Sequence, residues 1–206
     1  ACDAPVPLYT LVALGLADEP AVQRAADHLT DLVNHNGWPC VAAPGLGHFR
    51  GPGRRGDPCP LATLQALKAL ALIPARRTGA AARKGVAMLL WHWEHQAECK
   101  FYLFGIGSDF RKLKYPFVWY DLLHVVDVLS HFPFVHGDRR FQEMLAAVMQ
   151  QADDDGYYSA GSMYRDWQGW SFADKQAPSP WLTFLVLRIQ ARVNGSAGSI
   201  REPAAH

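Results

Sequence analysis

Residues 60–73 read PLATLQALKALALI. A proline opens the run, and the apolar residues after it leave almost no polar face. Proline suits the first turn of a helix, where amides lack intrahelical partners anyway. A helix that is apolar nearly all round is packed on several sides. The same construction recurs at Pro7 (PLYTLVALGL), Pro116 (PFVWYDLLHVVDVLS) and Pro180 (PWLTFLVLRIQ), at intervals between 53 and 64 residues. Thr10, Thr63 and Thr183 each lie three residues after their proline, and Trp119 takes that place in the third copy. A period of this size predicts stacked supersecondary units, none of which buries its core alone.

Amphipathic runs lie between the proline-led ones. Val22, Ala25, Ala26, Leu29, Leu32 and Val33 follow the spacing of one helical face. So do Val86, Leu89, Leu90 and Trp93, and again Phe141, Met144, Leu145 and Val148. Their opposite faces are charged. The expectation is an all-α chain of seven helices, alternating inner and outer. Inner-to-outer connections are short. Outer-to-inner connections (about 34–59, 96–115 and 152–179) are long, and loops of that length in a compact domain usually have work to do. In such a stack the three long loops share one rim. One repeat domain is expected over 1–193, followed by a small, polar, disordered tail over 194–206.

The chain has 206 residues, half of them apolar, and a net charge of +1. That length supports a well-buried domain. The balanced charge gives no reason to expect nucleic acid as a partner. No apolar run is long enough to span a bilayer. Four cysteines are too few for a disulfide scaffold, so a reducing cytoplasm is the default. The opening ACDAPVP has no leader character, and falls just before the first repeat helix. A processed or truncated chain that lacks earlier repeats is expected.

These features resemble a known family. Alternating inner and outer helices with glycine-aromatic loops look like the α/α toroid of terpenoid cyclases and protein prenyltransferase β-subunits. LVNHNGWPC at 32–40 and MQQADDDGYYS at 149–159 are similar to the glutamine-tryptophan motifs of squalene cyclases. More narrowly, the chain resembles uncharacterised bacterial proteins with squalene cyclase-type repeats. The resemblance implies a partial toroid, since a complete one has about twelve helices: an open horseshoe, a fragment, or half of a homodimer. It implies an isoprenoid-like hydrophobic ligand. Asp57-Pro58-Cys59 resembles the Asp-x-Cys part of the prenyltransferase zinc site. The cyclase DxDD acid motif has no counterpart. Asp153-Asp154-Asp155 is read as a solvated turn.

The residues themselves suggest several chemistries. Cys2, Cys40, Cys59 and Cys99 fall at or near the expected rim. Zinc takes tetrahedral sets of such ligands, so Cys40 and Cys59 with Asp57, Cys2 or a nearby histidine form a candidate metal site. The alternative is small buried thiols that pack the loops. His92 and His95 fall at the margins of an apolar stripe and are read as structural or exposed. Asp121 and His124 are three residues apart on a predicted helix, with Tyr120 beside them and Asp127 a further three residues on. A carboxylate beside an imidazole suits acid-base work, and Asp121, His124 and Tyr120 are the catalytic candidates. The alternative is a buried, mutually satisfied polar pair.

The loop FGIGSDFRKLKYPF is glycine-rich and basic. Arg111, Lys112 and Lys114 could grip a diphosphate there. Trp119, Tyr164, Trp167 and Trp170 are candidates to line an apolar pocket, or else to form the last loop's own small core. Three functions follow. The first is binding of, or catalysis on, an isoprenoid-like ligand. The second is a non-catalytic helical-repeat scaffold for a protein partner, with an exposed apolar end. The third is a polysaccharide lyase, chemistry that also occurs on α/α toroids, with Tyr164, His124 and Arg165.

Overall fold

The computed structural model describes residues 3–40, 56–101 and 103–198. Cys2, the loop segment 41–55 and residues 199–206 lie outside the described residues. The chain is all-α. Among the described residues there are nine helices, three isolated bridges and no sheet. Seven of the helices are those expected, and two more are single turns. The chain divides into two compact units, Ala1–Gly107 and Ser108–His206, where the sequence reading expects one domain over 1–193.

In the first unit, α3 (Pro60–Ala71) packs against both α1 (Pro5–Ala13) and α5 (Ala80–Glu94). This explains its composition, because ten of its twelve residues are buried. The outer helix α2 (Pro20–Asp31) buries only Val22, Ala26 and Leu29. The short α4 (Pro74–Arg77) links α3 to α5. The first copy departs from the expected all-round burial. Its helix starts at Pro5, two residues before Pro7, and buries Pro5, Leu8 and Val12 alone. Val6, Leu11 and Leu14 stay exposed, because α3 covers one side of it only.

In the second unit, all eight residues of α7 (Leu122–Leu129) are buried. The one-turn α6 (Ser108–Arg111) precedes it. The outer helix α8 (Arg139–Met149) buries Phe141, Met144, Leu145 and Val148, the face read from the sequence. The last helix, α9 (Pro180–Gly198), buries Leu182, Leu185, Val186 and Ile189. It runs five residues into the stretch expected as tail, through Gly198.

One local device occurs in both units. In the first, Gly37 takes a left-handed φ of 100°. The Trp38 amide then donates to Thr63 Oγ1 (3.0 Å), and the Trp38 carbonyl accepts from the Cys59 amide (2.8 Å). Cys59 Sγ caps α3 by accepting from the Ala62 amide. In the second unit the Tyr158 amide donates to Thr183 Oγ1 (3.1 Å), the Tyr158 carbonyl accepts from the Ser179 amide (2.8 Å), and Ser179 Oγ caps α9. The two threonines that mark the repeat therefore share a task. Each ties a glycine-aromatic loop to the start of an inner helix.

The third copy has a different register from the one expected. Pro116 does not open a helix. Residues 112–121 are irregular, and α7 begins at Leu122 with Asp121 as its cap. The physical reason is local. The aromatic and β-branched residues of PFVWY form helices poorly, and Asp121 is the first residue with a side chain suited to an N-cap. Asp121 thus occupies the place of Cys59 and Ser179, the residues that cap α3 and α9.

Candidate functional site

The second unit holds the polar cluster. Asp121 has no exposed surface, and its Oδ1 accepts from the His124 amide at 3.0 Å. The expected Asp121–His124 relation is therefore a helix cap rather than a carboxylate-imidazole bond. His124 turns its ring elsewhere: Nδ1 donates to the Trp119 carbonyl at 2.9 Å. A carbonyl only accepts, so Nδ1 carries a proton. The ring stacks on Phe117, with centroids 4.7 Å apart and an interplanar angle of 2°.

Asp121 Oδ2 is buried and has no hydrogen-bond partner among the described residues. Burial pushes its pKa up to about 7, against the pull of the His124 amide and the Lys114 charge. Tyr164 Oη is likewise buried, with the Trp119 main chain as the hydrogen-bonding group beside it. Desolvation, then the charges of Asp121 and Asp109, push the phenol up to about 12, while the Trp119 main chain opposes them.

Non-local contacts carry Tyr164 there. The Gly161 amide donates to the Leu113 carbonyl at 3.0 Å. A Cβ on Gly161 would lie 3.0 Å from Lys112 Cβ and 3.2 Å from the Leu113 amide nitrogen. Gln151 Nε2 also donates to the Arg111 carbonyl at 3.0 Å. The last loop is in this way fastened to the segment just before Asp121.

An aromatic run leads from that loop to the cluster. Trp167 and Trp170 meet Phe172, with centroids 6.0 and 5.5 Å away. Phe172 meets Tyr115 at 5.0 Å, Tyr115 meets Phe117 at 5.4 Å, and Phe117 stacks on His124. At its outer end an open cavity of about 330 Å³ is lined by Met163, Trp170, Ala173 and Lys175 among others. Neither a family model, nor a curated protein, nor a solved structure matches the chain. The site is therefore read from its own geometry.

The other candidates fall as follows. Tyr120 is buried against Phe110 at 5.1 Å, and burial raises its pKa, so it belongs to the core beneath the cluster. Trp119 is partly exposed. Lys114 is buried and bonded to Asp109 at 2.7 Å, and Lys112 reaches the same carboxylate at 3.5 Å. Two of the three expected anion-gripping cations are thus held by Asp109, a residue the sequence reading passed over. Arg111 ends α6, and its carbonyl is taken by Gln151. Asp127 turns away to Arg188 (2.9 Å) and Arg192 (2.8 Å), so it is an anchor for α9. The aspartates at 153–155 form the exposed turn expected, with Asp153 Oδ1 accepting from the Asp155 and Tyr157 amides.

In the first unit no three His, Cys, Asp or Glu side chains among the described residues are placed to hold a metal. Cys59 is buried and employed as a cap, and Cys40 is half-buried. Burial, then Asp57 and Glu98, push the Cys99 thiol up, away from the thiolate that zinc requires. The zinc set of Asp57, Cys59 and Cys40 does not assemble there. Asp57 instead lines an open cavity of about 420 Å³, with His35, Met88, Trp91 and Phe101. His92 is buried, and desolvation lowers its pKa to about 4 against a main-chain bond with Phe104, a structural role. His95 is half-buried and stacks on Trp91, with centroids 4.4 Å apart.

Proposed function

We propose that the second unit binds a hydrophobic, isoprenoid-like ligand along the aromatic run from Trp170 to Phe117, with Asp121 as a proton-exchanging carboxyl at its inner end. The observation that carries this reading is Asp121 itself: a fully buried acid, fixed through one oxygen, with the other oxygen unengaged among the described residues. An acid with a pKa near the working pH can give and take a proton at little cost. Aromatic faces suit an apolar ligand and stabilise positive charge that develops on it. The repeated glycine-aromatic lock supports a toroid-type repeat as the frame.

Intrinsic fluorescence tests the proposal, since Trp167 and Trp170 stand on the run. Titration with farnesol should give saturable quenching. Phe172→Ala should weaken the apparent affinity by about tenfold, the scale of a buried aromatic contact. Quenching that never saturates, or an affinity unchanged by Phe172→Ala, would remove the proposal. The lyase reading finds less support. It needs Tyr164 as a base, and the phenol is pushed the opposite way.

A second reading rests on a separate observation. Val6, Leu11 and Leu14 are exposed on or beside α1, and Trp181, Phe184 and Leu187 on α9. Apolar helix faces of this kind suit a scaffold that meets a protein partner. Light scattering on the wild type and on Leu187→Glu tests whether the α9 face joins copies of the chain. Monomers in both would leave this reading without support from self-association.

A further inference from the structure

We infer that the first unit holds a separate small-molecule site, and that it takes an aromatic zwitterion: a ring on a short arm that bears both an ammonium and a carboxylate, as in an aromatic amino acid. The site is the open cavity of about 420 Å³ lined by His35, Asp57, Lys84, Met88, Trp91 and Phe101. That volume falls among small-molecule sites, roughly 300–1,000 Å³. It is independent of the ligand proposed for the second unit.

The walls are held in place from several directions. Lys84, Met88 and Trp91 recur at helical spacing along α5, so one stripe of that helix forms a side of the cavity. His35 and Asp57 come from two loop segments that are tied together. Asn36 Nδ2 donates to the Gly56 carbonyl at 3.0 Å, and a bridge joins Pro39 to Pro58. Gly37 brings the first of these segments against α5, where a Cβ would fall 3.1 Å from Met88 Cγ. The Phe101 ring lies 4.9 Å from that of buried His92 and 6.0 Å from that of Trp91. Trp91 stacks on His95 and is still 41% exposed, which leaves indole surface for a ligand ring.

Charge chooses among the ligands of that size. Among the described residues the cavity is lined by one carboxylate, Asp57, and one ammonium, Lys84. Lys84 is exposed and makes no ion pair among the described residues. A carboxylate has room for several donors, so bonds that Asp57 makes elsewhere leave it able to receive an ammonium. An aromatic amine meets Asp57 but is repelled by Lys84, and an aromatic acid meets the reverse. A zwitterion answers both charges, with its ring against Trp91 and Phe101.

L-Phenylalanine, phenethylamine and 3-phenylpropionate share a ring and arm, and carry both charges, the ammonium alone and the carboxylate alone. Each is titrated into the full chain while NMR follows the indole N–H of Trp91, identified by its loss in Trp91→Phe. Phenylalanine should shift it saturably, with an affinity about fivefold or more above either analogue, the scale of one partly exposed ion pair. Lys84→Gln should remove the advantage over phenethylamine, and Asp57→Asn the advantage over phenylpropionate. Lys84 is exposed on α5, so its variant should fold. No saturable Trp91 shift with phenylalanine, equal or tighter binding of either analogue, or an affinity indifferent to both charge variants would overturn the inference. None of these results bears on the second unit, whose own test is Phe172→Ala.

Discussion

At the scale of single residues, Asp121 carries two tasks. One oxygen starts a helix, and under the proposed function the other exchanges a proton with a ligand. The cost of this design is electrostatic, and its sign is fixed. The pKa in the folded state, about 7, lies above the ordinary carboxylate value. The stability associated with Asp121 is therefore fully present below that ordinary value, and is lost as pH rises through about 7. Asn at this position keeps a cap and does not ionise. Asp121→Asn should gain stability relative to the wild type between pH 4 and 7, by a few kcal/mol, and the gap should then level off. Urea midpoints measured across that range check it, and a gap that does not change with pH would show that Asp121 titrates normally.

At the scale of elements, the repeat is a hydrogen-bonding device as much as a hydrophobic one. Thr63 and Thr183 were visible in the sequence as a shared offset, yet the offset did not reveal their task. That task depends on amides 25 residues upstream. Thr63→Val and Thr183→Val should each cost about 1–2 kcal/mol in denaturant unfolding, because a buried Trp38 or Tyr158 amide loses its acceptor. Thr10 lies on an exposed side of α1 and bonds only the Val6 carbonyl in its own helix, so Thr10→Val should stay within about 0.5 kcal/mol. Equal effects at all three threonines would contradict this assignment. Gly161→Ala should push the last loop off Lys112 and Leu113, costing about 1–3 kcal/mol and weakening farnesol binding.

The same scale shows where the sequence was and was not legible. The buried face of α8 was readable in full, because a surface helix with one apolar stripe leaves little choice. The third inner helix was misplaced because Pro116 imitates the other three openings. The usable signal was Asp121 followed by LLHVVDVL, a capping residue before an apolar run. Asp109, which pairs with Lys112 and Lys114, had a signal too: a lone acid inside a basic loop. The approach of Tyr164 to Asp121 had none, since it depends on Gly161 lying against Leu113, a contact between segments almost fifty residues apart.

At the scale of the whole molecule, the two units should respond oppositely to acid. In the first unit, desolvation holds His92 at about 4. A base with a depressed pKa gives stability present above its ordinary value and lost as pH falls towards 4. In the second unit, burial opposes ionisation of Asp127, but Arg188 and Arg192 overcome it and hold the carboxyl below the usual range. That ion pair therefore survives until the pH falls below ordinary carboxylate values, while Asp121 becomes easier to bury from pH 7 downwards. Between pH 7 and 4.5, hydrogen exchange corrected for intrinsic rates should loosen α3 and α5 and tighten α7. Uniform loosening of both units would contradict the assignment of these three groups.

The central claim is that Asp121 is a buried acid poised near neutrality in an aromatic site. Carbon-detected NMR of the Asp121 side-chain carboxyl, followed from pH 3 to 9 in the full chain and identified by its loss in Asp121→Asn, tests it most directly. The account predicts a midpoint close to pH 7, displaced when farnesol is added. A midpoint in the ordinary carboxylate range near pH 4, unmoved by farnesol, would contradict it.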